Sequence, residues 1–392
     1  IMKGWTMRIL VIALSLCLAV PALVAAEEPV TSKYNVKFWG RVKFDIHYDT
    51  AQFVNYNDFL GAPADSQDTA GASNNSLNFN PRDTRLGFSA SHSADAWVGK
   101  AVVEMDFYGD NNGNNLIPRM RLGYIELANK DSGTSLRAGQ DWIPVLSTNP
   151  STIDFGILSA SGNLWWRVPQ VTLRQKIEGF ELLAGAMLHR RTDTASETRY
   201  PWALGRVAYS FEAFDGKHMV AVDGGYQSDK VKNSTGSDDD IDRWVVGAEA
   251  KLSLGPVLVK GEIWTGEGIG SHFLRYNLDV SDTDSGAGTS FEEWEAWGGW
   301  IDATYKITPK WSATAGFGID DPDDSQYERQ TGNLNRKFKE NRTIFVNTWY
   351  SLTQAIKVGA EFMHLQANRE DAGGNNFRDK GQRITTSMFY AF

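Results

Sequence analysis

The chain has 392 residues, and its 39 Lys and Arg against 48 Asp and Glu give a formal net charge of −9 at pH 7. This acidic balance speaks against a nucleic-acid surface, though it leaves open the sign of charge inside a pore. The only cysteine is Cys17, which excludes thiolate metal sites and a disulfide framework.

Residues 1–26 carry Lys3 and Arg8, an apolar run from Ile9 to Val20, Pro21, and the small-residue site Val24-Ala25-Ala26 ahead of Glu27 and Glu28. An apolar run of about 12 residues is too short for a membrane-spanning helix, so this pattern predicts a Sec-type signal peptide. Leu16 before Cys17 argues against lipidation. Residues 27–392 are then expected to form one exported domain. No later apolar run approaches about 18 residues, so no transmembrane helix is predicted. The 14 Trp, 13 Tyr, 20 Phe and 37 Gly instead suit membrane strands that are apolar at alternate positions.

The first such strand is the clearest. From Val36 to Tyr48, Val36, Phe38, Gly40, Val42, Phe44, Ile46 and Tyr48 alternate with Lys37, Trp39, Arg41, Lys43, Asp45 and His47, a period of two that no helix produces. Similar runs follow at Thr84–Ser91, Trp97–Tyr108, Pro118–Ala128, Ser135–Asp141, Pro169–Lys176, Phe180–Arg190, Trp202–Phe211 and His218–Gln227. They continue at Arg243–Leu254, Val257–Glu267, Glu293–Lys306, Trp311–Ile319, Arg342–Leu352, Ile356–Gln366 and Gln382–Phe392. The pattern predicts an all-β fold, an antiparallel transmembrane barrel of about 16 strands. The last run, ending on Phe392, is expected to close onto the first.

Short joins such as Asp215-Gly216-Lys217 alternate with long polar ones: Thr50–Pro81, Ser228–Asp242, Gly268–Glu292, Asp320–Asn341 and Ala367–Gly381. In outer-membrane barrels the short turns face the periplasm and the long loops face outside. Trp39, Trp97, Tyr124, Trp202, Tyr226, Trp244, Trp297, Tyr305, Trp311, Tyr350 and Tyr390 fall near strand ends and are expected to form the two interfacial girdles. The segment from Asp141 to Arg167 differs from the other loops. Its Ile153, Phe155, Ile157, Leu158, Trp165 and Trp166 are too apolar for water, so it is expected to fold inward as a constriction loop.

Projecting the alternation inward places Lys37, Arg41, Lys43, Arg85, Arg119, Arg121, Arg137, Arg174 and Lys176 on the lumen face as a basic wall. Asp154 and Arg167 join them as candidates at the eyelet. Arg stays charged and grips carboxylate or phosphate in two places, and rings of Arg and Lys favour anions in pores. Inward acids Asp45, Asp83, Glu104 and Asp106 could instead pair with these cations. The six histidines are scattered singly, so neither a catalytic constellation nor a metal site is predicted, and no cofactor is expected.

Three stretches carry a family resemblance. Gly99-Lys100-Ala101-Val102-Val103-Glu104-Met105-Asp106-Phe107-Tyr108-Gly109 is the first, and Arg119-Met120-Arg121-Leu122-Gly123-Tyr124-Ile125-Glu126-Leu127 the second. The third comprises Ala138-Gly139-Gln140-Asp141-Trp142 with Pro150-Ser151-Thr152-Ile153-Asp154-Phe155-Gly156. Together they resemble the DcaP-like porins. The resemblance implies a homotrimeric 16-stranded channel in outer-membrane lipid that passes small organic anions such as dicarboxylates, with Arg119, Arg121, Arg137 and Arg174 at the constriction. The alternative is a non-conducting structural or adhesive barrel.

Overall fold

The computed structural model describes residues 34–53, 61–67, 69–109, 116–188, 197–198, 200–233, 235–270, 272–273, 280–282, 290–324, 326, 336–371 and 373–392. The predicted signal peptide, residues 1–26, lies outside them. Sixteen strands form the barrel: β1 Asn35–Asp49; β2 in two pieces, Ser76–Asn80 and Arg85–Ala94; β3 Trp97–Asp106; β4 Arg119–Asn129; β5 Thr134–Trp142; β6 Arg167–Ile177; β7 Phe180–Met187; and β8 Trp202–Ala213. The second half comprises β9 Gly216–Lys232, β10 Asp238–Leu254, β11 Val257–Glu267, β12 Glu295–Thr308, β13 Trp311–Pro322, β14 Arg336–Ser351, β15 Ile356–Asp371 and β16 Asn376–Ala391. Each pairs antiparallel with its neighbours in sequence, and β16 closes onto β1 from Arg41↔Ala391 to Asp49↔Arg383.

Alternation decides which side chains meet lipid. Along β1, Val42, Phe44 and Tyr48 are exposed, whereas Lys43, Asp45, His47 and Asp49 are buried, so the charges point into the barrel. β16 repeats this, with Ile384, Met388, Tyr390 and Phe392 outside and Arg383, Thr385 and Ser387 within. A belt of exposed apolar residues around a closed sheet is what a transmembrane barrel presents to acyl chains, and closure leaves no unpaired edge in the hydrocarbon.

Several expectations require correction. Tyr124 and Trp202 leave the girdle: the Tyr124 ring lies 4.3 Å from the Arg137 guanidinium, and Trp202 is wholly buried inside. Ser228–Asp242 and Ala367–Gly381 are mostly strand, because β9–β10 and β15–β16 run on as polar hairpins with only short loops at their tips. In β4 strict alternation breaks at a β-bulge, where Glu104 pairs with Leu122 and Met105 with Met120. Arg121 is the extra residue. The bulge lets Arg119 and Arg121 both point inward while Ile125 and Leu127 face lipid, the usual way such an irregularity re-aims side chains.

At the seam, Gly40 and Phe392 exchange backbone hydrogen bonds of 3.0 and 3.1 Å. A Cβ on Gly40 would sit 2.5 Å from the Phe392 ring and 2.6 Å from the Arg85 carbonyl oxygen, so only glycine fits. Gly40→Val is expected to destabilise closure by about 1–3 kcal/mol through overpacking. Heat-modifiable gel migration should then show less assembled barrel, and wild-type yield would refute the requirement.

Candidate functional site: a constriction loop facing a basic wall

Residues 143–166, between β5 and β6, fold into the barrel as expected. Two forces hold them. Ile143, Val145, Leu146 and Leu164 pack with Val168, Met187, Trp202, Leu204, Val245 and Trp264 of the wall into an apolar core inside the barrel. Burying each such side chain stabilises by roughly 1.5–3 kcal/mol. The loop backbone is then satisfied by a row of wall carboxylates. Glu249 accepts from the amides of Ser147 (3.2 Å) and Thr148 (2.8 Å), and Asp302 from Ser151 (2.6 Å). Glu361 accepts from Ile153 (2.6 Å) and Asp154 (2.8 Å), and Glu262 from Leu164 (2.8 Å).

Two lysines and an amide complete the latch on the carbonyl side. Lys260 donates to the Asn149 carbonyl (2.6 Å), Lys43 to that of Ile153 (2.7 Å) and Asn341 to that of Ala160 (2.6 Å). Gly162, at φ +97°, lets the returning arm lie flat on the wall, since a Cβ there would come within 2.1 Å of the Gly299 carbonyl oxygen. Asp154 accepts from Arg383 (2.9 Å), which also grips Asp49 through two bonds of 2.7 Å. Burial alone would raise the Asp154 carboxyl; the Arg383 charge, with His47 and the Gly156 amide, outweighs it and holds the group below the ordinary carboxylate value.

Opposite the loop stands the basic wall. Arg85, Arg119 and Arg121 converge on the Phe155 ring at the loop tip, with guanidinium carbons 5.9, 5.8 and 5.7 Å from its centroid. All are paired as well. Arg41, Lys43 and Arg85 share Asp83 (2.6, 3.3 and 2.8 Å), Arg119 meets Asp106 (2.8 Å), and Arg121 bridges Glu104 (2.6 Å) and Asp106 (2.9 Å). Arg137 pairs with Glu126 and Asp141, and Arg174 with Glu181 (3.4 Å). Lys176 reaches Glu181 at 3.7 Å but stays exposed at the short-turn rim, and Lys37 is exposed at the start of β1.

Arg167 is arranged differently. It is 6% exposed, its guanidinium carbon lies 4.7, 5.6 and 5.7 Å from the rings of Trp142, Trp165 and Trp166, and its Nη1 has no hydrogen-bond partner. Among the described residues no carboxylate lies within ion-pair distance of it, and Arg119 and Arg121 are among its charged neighbours. Counting Arg41, Lys43, Arg85, Arg119, Arg121 and Arg167 against Asp45, Asp83, Glu104 and Asp106, this wall carries more cation than acid.

Sequence reasoning missed the carboxylate latch, Lys357, and a second inward segment. Ile269, His272 and Phe273 follow β11 and are fully buried; His272 Nδ1 accepts from the Trp202 indole (2.8 Å) and Phe273 packs on the same ring. The apolar residues Ile269, Phe273, Leu274, Leu278 and Val280 within one long loop were the available signal.

A closed 16-stranded barrel with an apolar belt, an inward loop and a charged wall defines the porin class of outer-membrane barrels. No family model and no curated protein sequence matches the chain. Among solved structures, the outer membrane channel DcaP of Acinetobacter baumannii is similar at TM-score 0.77 and 22% identity, over 92% of this chain and 99% of that one. The anion-selective porin from Comamonas acidovorans follows at TM-score 0.62 and 12% identity, over 92% and 100%. The outer membrane protein OmpT of Vibrio cholerae, in its trimer form, gives 0.57 and 12%, over 92% and 100%. The fold is that of a DcaP-like porin.

Proposed function

We propose that the chain is a passive-diffusion porin of the outer membrane, not an enzyme, and that it prefers small hydrophilic anions such as (di)carboxylates. One observation carries this: the wall nearest the loop tip is a cluster of guanidiniums, Arg85, Arg119 and Arg121, with Arg167, which has no ion-pair partner among the described residues, beside it. Arg85 and Arg119, part-exposed and pinned by Asp83 and Asp106, offer an anion donors that need no reorganisation, while buried Arg121 adds its charge and a cation meets net repulsion. The trimer form of a similar barrel supports a homotrimer.

The test is reversal potential across a planar bilayer under a salt gradient. Wild type is expected to be anion-selective. Arg119→Ala with Arg121→Ala should abolish most of that preference, because the wall's excess of cations over acids is lost and Glu104 and Asp106 keep only Arg85 and Arg167 as facing charges. Cation preference in the wild type would sink the anion claim, and absence of any conductance would favour the structural or adhesive barrel.

A further inference from the structure

Lys357 lies at the start of β15, next to the short turn that joins β14 to β15. Glu361, which holds the loop tip, is four residues further on, roughly 13 Å along the strand. Lys357 is therefore on the short-turn side of the constriction. Its Nζ sits 4.5 Å from the centroid of the Trp349 indole on β14 and 4.6 Å from that of the Phe389 ring on β16. Arg41 touches the same Phe389 ring, its guanidinium carbon 5.4 Å from the centroid. The four side chains open onto one cavity of about 280 Å³ with Arg85 and the loop residues Thr152 and Phe155.

The charges of that cavity are unevenly matched. Arg41, Lys43 and Arg85 all meet Asp83, and Asp154 is engaged by Arg383. Among the described residues no carboxylate lies within ion-pair distance of Lys357, whose ammonium rests against the two rings. Two ring faces steady the ammonium without neutralising it, leaving its donors for a mobile partner. Lys357 is thus a fixed positive charge with an aromatic frame, in the cavity it shares with Arg41 and Arg85 beside the loop tip.

We propose that Lys357, framed by Trp349 and Phe389, is an anion site on the short-turn side of the constriction, where it takes one oxyanion group, carboxylate or phosphate, of a passing solute. The proposal rests on the porin function above. The experiment uses the full barrel inserted from one side of a planar bilayer, with chloride carrying the current and inorganic phosphate added as blocker to the chamber facing the short turns. In Lys357→Met the phosphate concentration for half-block is expected to rise about tenfold, the loss of one charge-assisted hydrogen bond, while Lys357→Arg stays within about twofold of wild type. Chloride selectivity should persist in both, since the arginine wall is intact. Unchanged block in an anion-selective Lys357→Met overturns the site and leaves the porin function standing. A non-conducting wild type overturns both. Should Lys357→Met not assemble, Lys357→Gln takes its place, and poor assembly of Met, Gln and Arg variants alike would mark the residue as structural and overturn the site.

Discussion

Replacing Glu361 by alanine is expected to raise single-channel conductance severalfold and to make the open level noisy. Glu361 is buried on β15 and accepts the amides of Ile153 and Asp154 and the Asn347 amide (2.9 Å). Alanine leaves two loop amides without an acceptor in a site closed to bulk water, at about 1–3 kcal/mol each. That removes a large part of what holds the tip, leaving Arg383 on Asp154 and Lys43 on the Ile153 carbonyl as its remaining polar ties. The rest of the loop is held independently by the apolar core around Leu146 and Leu164 and by Glu249, Asp302 and Glu262, so only the tip near Phe155 should swing away. Phe155 then leaves the arginines and the aperture widens. Glu361→Gln keeps one carbonyl acceptor and should lie between the two. Current recordings at fixed voltage decide it, and a quiet channel of wild-type conductance would show that Arg383 and Lys43 suffice to fix the tip.

How much of this could be foreseen follows from what one sequence encodes locally. Side-chain face is local, so β1 and β16 were legible residue by residue, as was their closure. The inward loop was legible because Ile153, Phe155, Leu158 and Trp165 are too apolar for solvent. Pairing is not local. Projection puts Arg119 and Asp106 on one face but cannot say that they meet, since contact depends on register and on a bulge that shifts it at Arg121. The latch was hidden for the same reason: Glu249, Glu262, Asp302 and Glu361 each look like any lumen acid, and only the loop's path across the barrel gives them a common task. Tyr124 and Trp202 were misassigned because an aromatic near a strand end fits a girdle equally well whichever way it points.

Arg383→Met should be the most damaging single change to stability. Arg383 is 1% exposed and is held by Asp49 and Asp154, both buried. It ties β16 to β1 at the long-loop end of the seam and ties both to the loop tip. Breaking a buried ion pair by removing one partner costs about 3–5 kcal/mol, because the charge left behind has neither water nor counter-ion. Here two carboxylates are stranded, with Glu361 close by as a further acid.

The pH dependence separates this from simple loss of packing. In the wild type the Asp154 carboxyl lies below its ordinary value, so its contribution to folding is complete above the usual carboxylate range and is lost only as pH falls through the lowered value. Between pH 7 and about pH 5 that contribution is flat. Without Arg383, burial is opposed only by His47 and the Gly156 amide, and the carboxyl is expected to rise above its unfolded value. A raised acid destabilises at neutral pH and does so less as it protonates, so the gap between wild type and Arg383→Met should narrow from pH 7 to about pH 5. Denaturant unfolding of the detergent-solubilised barrel at the two pH values measures it. A gap that is constant or widens on acidification would place the damage in packing around Phe53, whose ring lies 5.7 Å from the Arg383 guanidinium carbon, and not in the stranded carboxylates.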